Sequence, residues 1–527
     1  MSRLAAALNR PVYAVIGVAL IAGALRFYHL SYPGTRVFDE VYYSKAGCIL
    51  IGGTNAQCDV RSSAEKYWRT NKWDVGSWVH PPLGKWMIGL GEKVFGFGPF
   101  GWRFSSAVTG TLTCVLIAMI AQLLWGKPIW TFTAGLVLAT EDLNFVQSRL
   151  SMLDIFVAFW VLLGFLFLLM DRRWMERAAA RADQNTSDIG GRVSTYPRTE
   201  DDAERTDQRS EPAEQDPASG PQIKDSAPSP LWRPWRYAAG IAFGAAFSTK
   251  WSGAFAIPGA LLLTLAWEVL RRKKLGLAFW RSVGRTILRE SLGLMFAFVL
   301  LPVAVYMLIY LPWFHHFGWS LRAWWDNQVA IWDFHKNLLP TAMDNKTHEM
   351  TPIHPYLSRP WGWLLIWRPV AYYYKTVGGK SLEIIAIGNV VLFWGSLLWT
   401  IPYLFWASIS RRKRDWIAVF ILVAIATQYL PWFFVGRAQF FFYMTPITPF
   451  LALGLVYAIR DASDATVLLT DPQTGATYES TLHPYRWVAL TAVLLVVLAF
   501  AWFYPVLVAS PLSHTWWKAR IWFPGWV

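Results

Sequence analysis

Cysteine and charge are both scarce in this chain. Three Cys in 527 residues exclude a disulfide framework and a cysteine-built metal site. Charged residues make up 16% of the sequence, where soluble domains carry about 25%, so an ordinary cytosolic enzyme is excluded. No internal repeat is visible. No inverted halves with paired broken helices stand out either, which weakens a transporter reading. What the chain has in quantity is apolar surface: 54% apolar residues, with 33 Trp, 33 Phe and 21 Tyr. That excludes a disordered chain. A membrane protein places such rings at the two water–lipid interfaces and along internal cavities.

Basic residues outnumber acidic ones by 49 to 34, a net charge of +15. In a soluble chain this would suggest nucleic acid. Here the basic residues fall in short clusters between apolar runs, so membrane orientation explains them and no nucleic-acid partner is expected.

A span needs about 20 mostly apolar residues. Eleven candidates follow: Pro11–Leu30, Phe104–Trp125, Pro128–Val146, Met152–Met170, Tyr237–Ser248, Ala254–Leu270, Leu292–Trp313, Leu382–Trp406, Trp416–Phe433, Phe441–Ile459 and Trp487–Val508. The first is read as a retained helix, because no small-residue cleavage site follows it. The fifth is short and could fuse with the sixth into one bent segment. With eleven spans and the N-terminus inside, the basic clusters at Arg271–Arg289 and Arg411–Arg414 and the start of the linker at Asp171-Arg172-Arg173 all fall inside, as lysine and arginine bias requires. The C-terminus then lies outside.

The expected organisation is an all-α polytopic membrane protein: helices in 1–171 with an external loop at 31–103, helices in 233–313, an external loop at 314–380, helices in 381–508 and an external tail at 509–527. Residues 172–232 are rich in Ser, Asp, Glu, Arg, Gln and Pro. That stretch cannot bury enough apolar surface to fold and is expected to be a disordered cytoplasmic linker.

Asp39 and Glu40 lie just past the first span. Burial beside each other and the membrane would raise the pKa of one of them, and such a carboxylate can act as a general base. The alternative is a solvated acidic pair. His80-Pro81-Pro82-Leu83-Gly84-Lys85 is a rigid turn before a short amphipathic helix, Lys85–Phe97. His80 and Lys85 either approach a substrate phosphate, or Lys85 snorkels to lipid. Arg103 opens the second span, Arg149 and Asp154 sit at the external end of the third and fourth, Lys250 and Trp251 between the fifth and sixth, and Arg437 between the ninth and tenth. Charges at membrane depth are functional-site candidates, although each basic group alone could bind lipid headgroups. Converging on one external face, they suit a lipid phosphate whose tail stays in the bilayer. Arg and Lys would neutralise the departing phosphate, and Asp39 would take a proton from an incoming hydroxyl. Composition does not choose the sugar. Cys48 and Cys58, ten positions apart in the first external loop, are expected to form a disulfide in an oxidising compartment, with two free thiols as the alternative.

The motifs resemble those of the protein O-mannosyltransferases, polytopic glycosyltransferases of the GT-C class. The resemblance rests on Phe38-Asp39-Glu40, the His80–Lys85 motif, Arg103, Gln147-Ser148-Arg149 with Leu153-Asp154, Ser248-Thr249-Lys250-Trp251-Ser252-Gly253, His354-Pro355-Tyr356-Leu357-Ser358-Arg359-Pro360-Trp361 and Ile387-Gly388-Asn389. It implies eleven spans with the N-terminus cytosolic, in the cell membrane, and transfer of mannose with inversion from a polyprenyl or dolichyl phosphate to Ser or Thr of exported proteins. Asp39 would be the base and Glu40 its acidic neighbour; Arg103, Arg149 and Lys250, with His80 and Lys85, would lie near the phosphate. Asp154, Trp251, His354 and Arg437 are further site candidates. Eukaryotic members carry a β-trefoil insertion where this chain has only 314–380, so the resemblance is to the bacterial branch, whose donor is polyprenyl-phosphate mannose. The implied partners are that lipid, exported Ser/Thr-containing acceptors, membrane lipid and the protein export machinery. No cofactor is implied. A divalent metal is left open: external Asp and Glu could ligand a cation, but no metal-ligand spacing is evident. Two other classes remain: a GT-C transferase moving another sugar, such as aminoarabinose to lipid A, and a non-enzymatic lipid-binding or transport protein.

Overall fold

The computed structural model describes residues 10–60, 78–193, 229–343, 350–410, 413–466, 468–470, 477–479 and 483–526. Most of them are helical. In chain order the helices used below are α1 (Pro11–Phe27), α2 (Glu40–Leu50), α3 (Leu83–Phe95), α4 (Pro99–Trp125), α5 (Pro128–Ala139), α6 (Asp142–Arg149), α7 (Leu153–Val193) and α8 (Pro234–Thr249). They continue with α9 (Trp251–Lys274), α10 (Phe279–Ile309), α11 (Leu321–Asn337), α12 (Val390–Ile409), α13 (Trp416–Phe434), α14 (Thr448–Asp464) and α15 (Arg486–Leu507). Seven of these are long and apolar enough to cross a membrane, and α1 and α5 are shorter apolar helices. With α8 and α14 they occupy the eleven expected positions, so the chain is a multi-pass membrane protein.

The fifth and sixth spans are separate. Lys250, at the end of α8, pairs with Asp154 at the start of α7, while Arg233, at the other end of α8, pairs with Asp171 of α7 and with Glu268 of α9. The chain therefore turns back on itself at Lys250. At the Arg233 end, Arg236 and Arg272 both reach Glu290 of α10, and Arg272 also reaches Glu268. Three buried carboxylates thus meet three buried guanidiniums and a fourth, more exposed one, Arg271, on Glu268. Mutual pairing is what makes such burial tolerable, since removing any one buried partner would strand a charge out of water.

Three expectations about this framework change. The helix α7 runs on to Val193, through the start of the segment 172–232 expected to lack structure; residues 194–228 lie outside the described residues. The bidentate Arg233–Asp171 pair, at 2.9 and 2.5 Å, closes the two ends of that segment on each other. Deleting residues 194–228, a polar stretch poor in apolar side chains, is therefore expected to leave membrane insertion and activity within about twofold of wild type; transfer assays on membranes check it.

The third candidate span breaks after Ala139, because Glu141 caps a new helix by accepting from the N–H groups of Leu143 and Asn144. The eighth begins at Val390, not Leu382. Residues 382–386 belong to a strand, β4 (Lys380–Ala386), paired antiparallel with β3 (Val370–Val377) and with the short strand Leu512–Ser513. Gly378 and Gly379 link β3 to β4 with φ of 56° and 72°, the left-handed pair that a tight two-residue hairpin needs. An apolar run buried in a sheet and one entering a helix look alike in sequence; Asn389 decides, capping α12 at Val391 and Leu392. Its side chain also donates to the carbonyls of Thr140 and Val496, tying β4 to the α5–α6 break and to α15.

Candidate active site

The loop between α1 and α2 carries the two carboxylates, and two arginines hold it. Arg149 of α6 donates to the carbonyls of Leu25, Arg26, Tyr28 and His29, at 2.6–3.2 Å. These include orphan carbonyls at the end of α1, which need such a partner when buried. Arg103 of α4 donates to the carbonyls of Leu30, Pro33 and Thr35 and bidentately to Glu40, at 2.8–3.1 Å. That engages all five of its N–H donors. Glu40 in turn accepts from the N–H groups of Val37 and Ser151. Both Glu40 and Arg103 are fully buried. This corrects the expectation for Arg103, which has no donor left for a phosphate and holds the loop. Arg149 holds the end of α1 through Nη1 and Nη2, while its Nε has no acceptor among the described residues. Glu40 has no surface for substrate and anchors the loop.

The loop delivers Asp39. Phe38 holds φ at 50°, a left-handed conformation that costs a bulky residue about 1–3 kcal/mol. Its ring stacks on Tyr372 with centroids 4.5 Å apart, and Gln147 donates to the Tyr372 hydroxyl at 2.7 Å. Helix α2 then packs on α3 so closely that a Cβ on Gly47 would stand 2.8 Å from the Gly89 nitrogen. Cys48 and Cys58 are joined by a disulfide just beyond. Asp39, only partly buried, accepts from the Tyr43 hydroxyl one helical turn on, at 3.4 Å. Burial raises the Asp39 carboxyl to about 6, against the pull of Lys250. A base with that pKa is protonated below pH 6 and ionised above it. Activity is expected to rise with an acidic limb near pH 6 and to level off above about pH 7; a kcat/KM profile on membranes checks it.

A cavity of about 550 Å³ opens beside this loop, with His80, Lys250, Trp251, His335, Trp432 and Arg437 among its walls. Asp39 is not part of its wall; it is bonded to Tyr43, whose ring lies 6.1 Å from His80 of the wall, and it feels the charge of Lys250 there. Lys250 is held by both oxygens of Asp154, at 2.8 and 3.0 Å, and stands 4.5 Å over the Tyr443 ring. His335 makes contacts at 2.8 Å to the Val79 carbonyl and 2.5 Å to the Arg437 guanidinium. Nε2 therefore carries the proton and Nδ1 accepts. Burial and the Arg437 charge bring His335 down to about 3, and burial first, then His335 and Lys250, hold His80 well below its usual value. Both rings are neutral and can hydrogen-bond without adding charge. Arg437 also donates to Tyr443 at 2.6 Å and to the Ala438 carbonyl. Three of its five N–H groups are thereby used, and two have no acceptor among the described residues.

The structure thus gathers Asp39, His80, Asp154, Lys250, Trp251 and Arg437. Lys85 is fully buried, donates to the His80 carbonyl at 2.6 Å and is not part of the cavity wall, which corrects both its snorkelling and its phosphate expectation. His354 stands edge-on to Phe38, at 6.2 Å, and to Phe440, supporting the loop. Sequence reasoning missed Tyr43, His335, Tyr372 and Tyr443. Tyr43 was open to discovery as the i+4 neighbour of Asp39; the others come from distant elements.

Three family models match the chain. One described as the C-terminal four TMM region of protein-O-mannosyltransferase covers residues 320–526, and two described as dolichyl-phosphate-mannose-protein mannosyltransferase cover 79–176 and 222–318. The chain belongs to the protein O-mannosyltransferase family. Among the relatives of this O-mannosyltransferase is a polyprenol-phosphate-mannose–protein mannosyltransferase of Mycolicibacterium smegmatis, 29% identical over 97% of this chain and 92% of that one. Its Mycobacterium tuberculosis counterpart is 28% identical over 97% and 90%. The fold matches a solved structure of the S. cerevisiae protein O-mannosyltransferase Pmt1-Pmt2 complex bound to the sugar donor, with a TM-score of 0.67 at 13% identity, over 98% of this chain and 92% of that one. The O-mannosyltransferase chain therefore has the GT-C fold.

Proposed function

We propose that this protein transfers mannose from polyprenyl-phosphate mannose to Ser or Thr hydroxyls of exported proteins at the outer face of the cell membrane, with the N-terminus cytoplasmic. The observation that carries the reading is the pairing of a raised, partly exposed carboxylate, Asp39, with a cavity bearing Lys250 and Arg437. The acceptor oxygen attacks the anomeric carbon while Asp39 takes its proton. The bond from that carbon to the phosphate oxygen breaks in the same displacement, which inverts the centre. The polyprenyl phosphate leaves with the electron pair, and the two uncommitted N–H groups of Arg437 meet its charge. Lys250, already neutralised by Asp154, contributes a weaker field. The Trp251 and Trp432 side of the cavity suits the first isoprene units.

Transfer from radiolabelled polyprenyl-phosphate mannose to a Ser/Thr-rich peptide, in membranes holding this protein, tests the reading. Mannosyl peptide whose anomeric configuration is opposite to the donor's supports it; no product, or retention, overturns it. Arg437→Ala is expected to reduce kcat/KM for the donor by about ten- to a hundredfold, the range of a lost charge-assisted hydrogen bond, with peptide KM unchanged. Steady-state kinetics at varied donor checks it.

A further inference from the structure

A second recess, of about 280 Å³, adjoins the large cavity, and Arg437 belongs to the walls of both. Arg359 and Arg368 complete its basic side. Neither has a carboxylate partner among the described residues. The buried Nε of Arg368 has no acceptor, and the buried Oε1 of Gln439 on the same wall no donor, among the described residues. Three guanidiniums around one small space repel each other unless an anion enters, and no described acidic residue lines the space to supply one. The recess is therefore built for a negative group that comes from outside the described chain.

The other wall says which kind. Thr341 and Pro352 come from β1 (Thr341–Met343) and β2 (Met350–Pro352), a two-stranded antiparallel sheet with no further strand beside it among the described residues. Such an edge offers backbone donors and acceptors to an extended segment, the usual way a peptide adds to a sheet. Side chains along an extended peptide are spaced by about 3.3 Å per residue. A hydroxyl reacting in the large cavity therefore leaves a residue a few positions away beside the arginines.

We propose that this recess is an acceptor subsite that binds an acidic side chain, Asp or Glu, flanking the modified Ser or Thr of the acceptor polypeptide. The proposal rests on the mannosyltransferase reading above. The arginines add affinity through charge-assisted hydrogen bonds, and their positive charge, unpaired among the described residues, draws acidic segments toward the site. Because Arg359 is exposed and Arg368 half-buried, salt should weaken the effect.

The test uses the full-length protein in vesicles of phosphatidylcholine and phosphatidylglycerol, with three peptides that differ only in carrying Glu, Gln or Lys at positions within three residues of a single Thr. Wild type is expected to favour the Glu peptide over the Lys peptide in kcat/KM by about tenfold, a difference of about 1.4 kcal/mol, and to lose most of that preference at high salt. Arg359→Gln/Arg368→Gln should bring the three peptides together while sparing the Gln peptide, which also serves as the folding control. Arg359→Glu/Arg368→Glu should reverse the order. Equal kcat/KM for all three peptides in wild type overturns the subsite and leaves the transferase reading standing, whereas transfer to none of them overturns both. A uniform loss on all peptides in the Gln variant that follows phosphatidylglycerol content would assign the recess to lipid headgroups and likewise overturn the subsite.

Discussion

Asp39→Asn membranes are expected to transfer mannose at least about a hundredfold more slowly than wild type, the usual scale of a lost general base. The substitution keeps the shape of the side chain and can keep the 3.4 Å contact with Tyr43, so the loop should hold. What it removes is the proton acceptor. Donor binding should survive, because Arg437 and the aromatic walls are untouched. The loss should therefore fall on kcat, which reports interactions made only in the transition state. Single-turnover transfer alongside donor binding separates the two. Turnover within a few-fold of wild type would remove Asp39 from the reaction.

Arg103→Ala is expected to cost about 3–5 kcal/mol of stability, the range for stripping one partner from a buried ion pair. Glu40 would keep its charge with no counter-ion, and the carbonyls of Leu30, Pro33 and Thr35 would lose their donor together. The consequence for chemistry is indirect. The segment that sets Phe38 at positive φ would slacken and Asp39 would no longer be aimed, so kcat should collapse while donor affinity of the folded fraction stays near wild type. Arg103→Lys should recover little, since an ammonium cannot reproduce the planar fork. Thermal unfolding in detergent and donor titration check this. A raised donor KM with unchanged melting temperature would instead return Arg103 to the phosphate. Removing both charges, as in Arg103→Leu/Glu40→Leu, should destabilise less than Arg103→Ala alone, because no charge is left stranded.

Much of the framework was legible because membrane burial writes itself in long apolar runs and in the side on which lysine and arginine collect. The positions of eleven helices, the placement of Asp39 just past the first of them and the Cys48–Cys58 neighbourhood all come from local pattern. The departures have a common cause. Leu382–Ala386 reads as the start of a span because a buried strand is as apolar as a helix, and only pairing with Val370–Val377 separates them. Residues 172–193 read as unstructured because polar composition cannot show that α7 simply runs on.

The roles of the charges divide along the same line. Sequence alone placed Asp39, Glu40, Arg103, Arg149, Lys250 and Arg437 at the ends of apolar runs, where charge is costly and is expected to be used. It could not say which of them are consumed by the fold, because a guanidinium has five donors and their acceptors come from anywhere in the chain. Tertiary structure spends Arg103 on Glu40 and three carbonyls, commits part of Arg149 to the end of α1, and pairs Lys250 with Asp154 at the cavity wall. It leaves Asp39 partly open beside the cavity and Arg437 with donors in hand. Whether a buried charge supports a structure or acts on a substrate is a question of unspent hydrogen-bonding capacity, and that capacity exists only once the chain is folded.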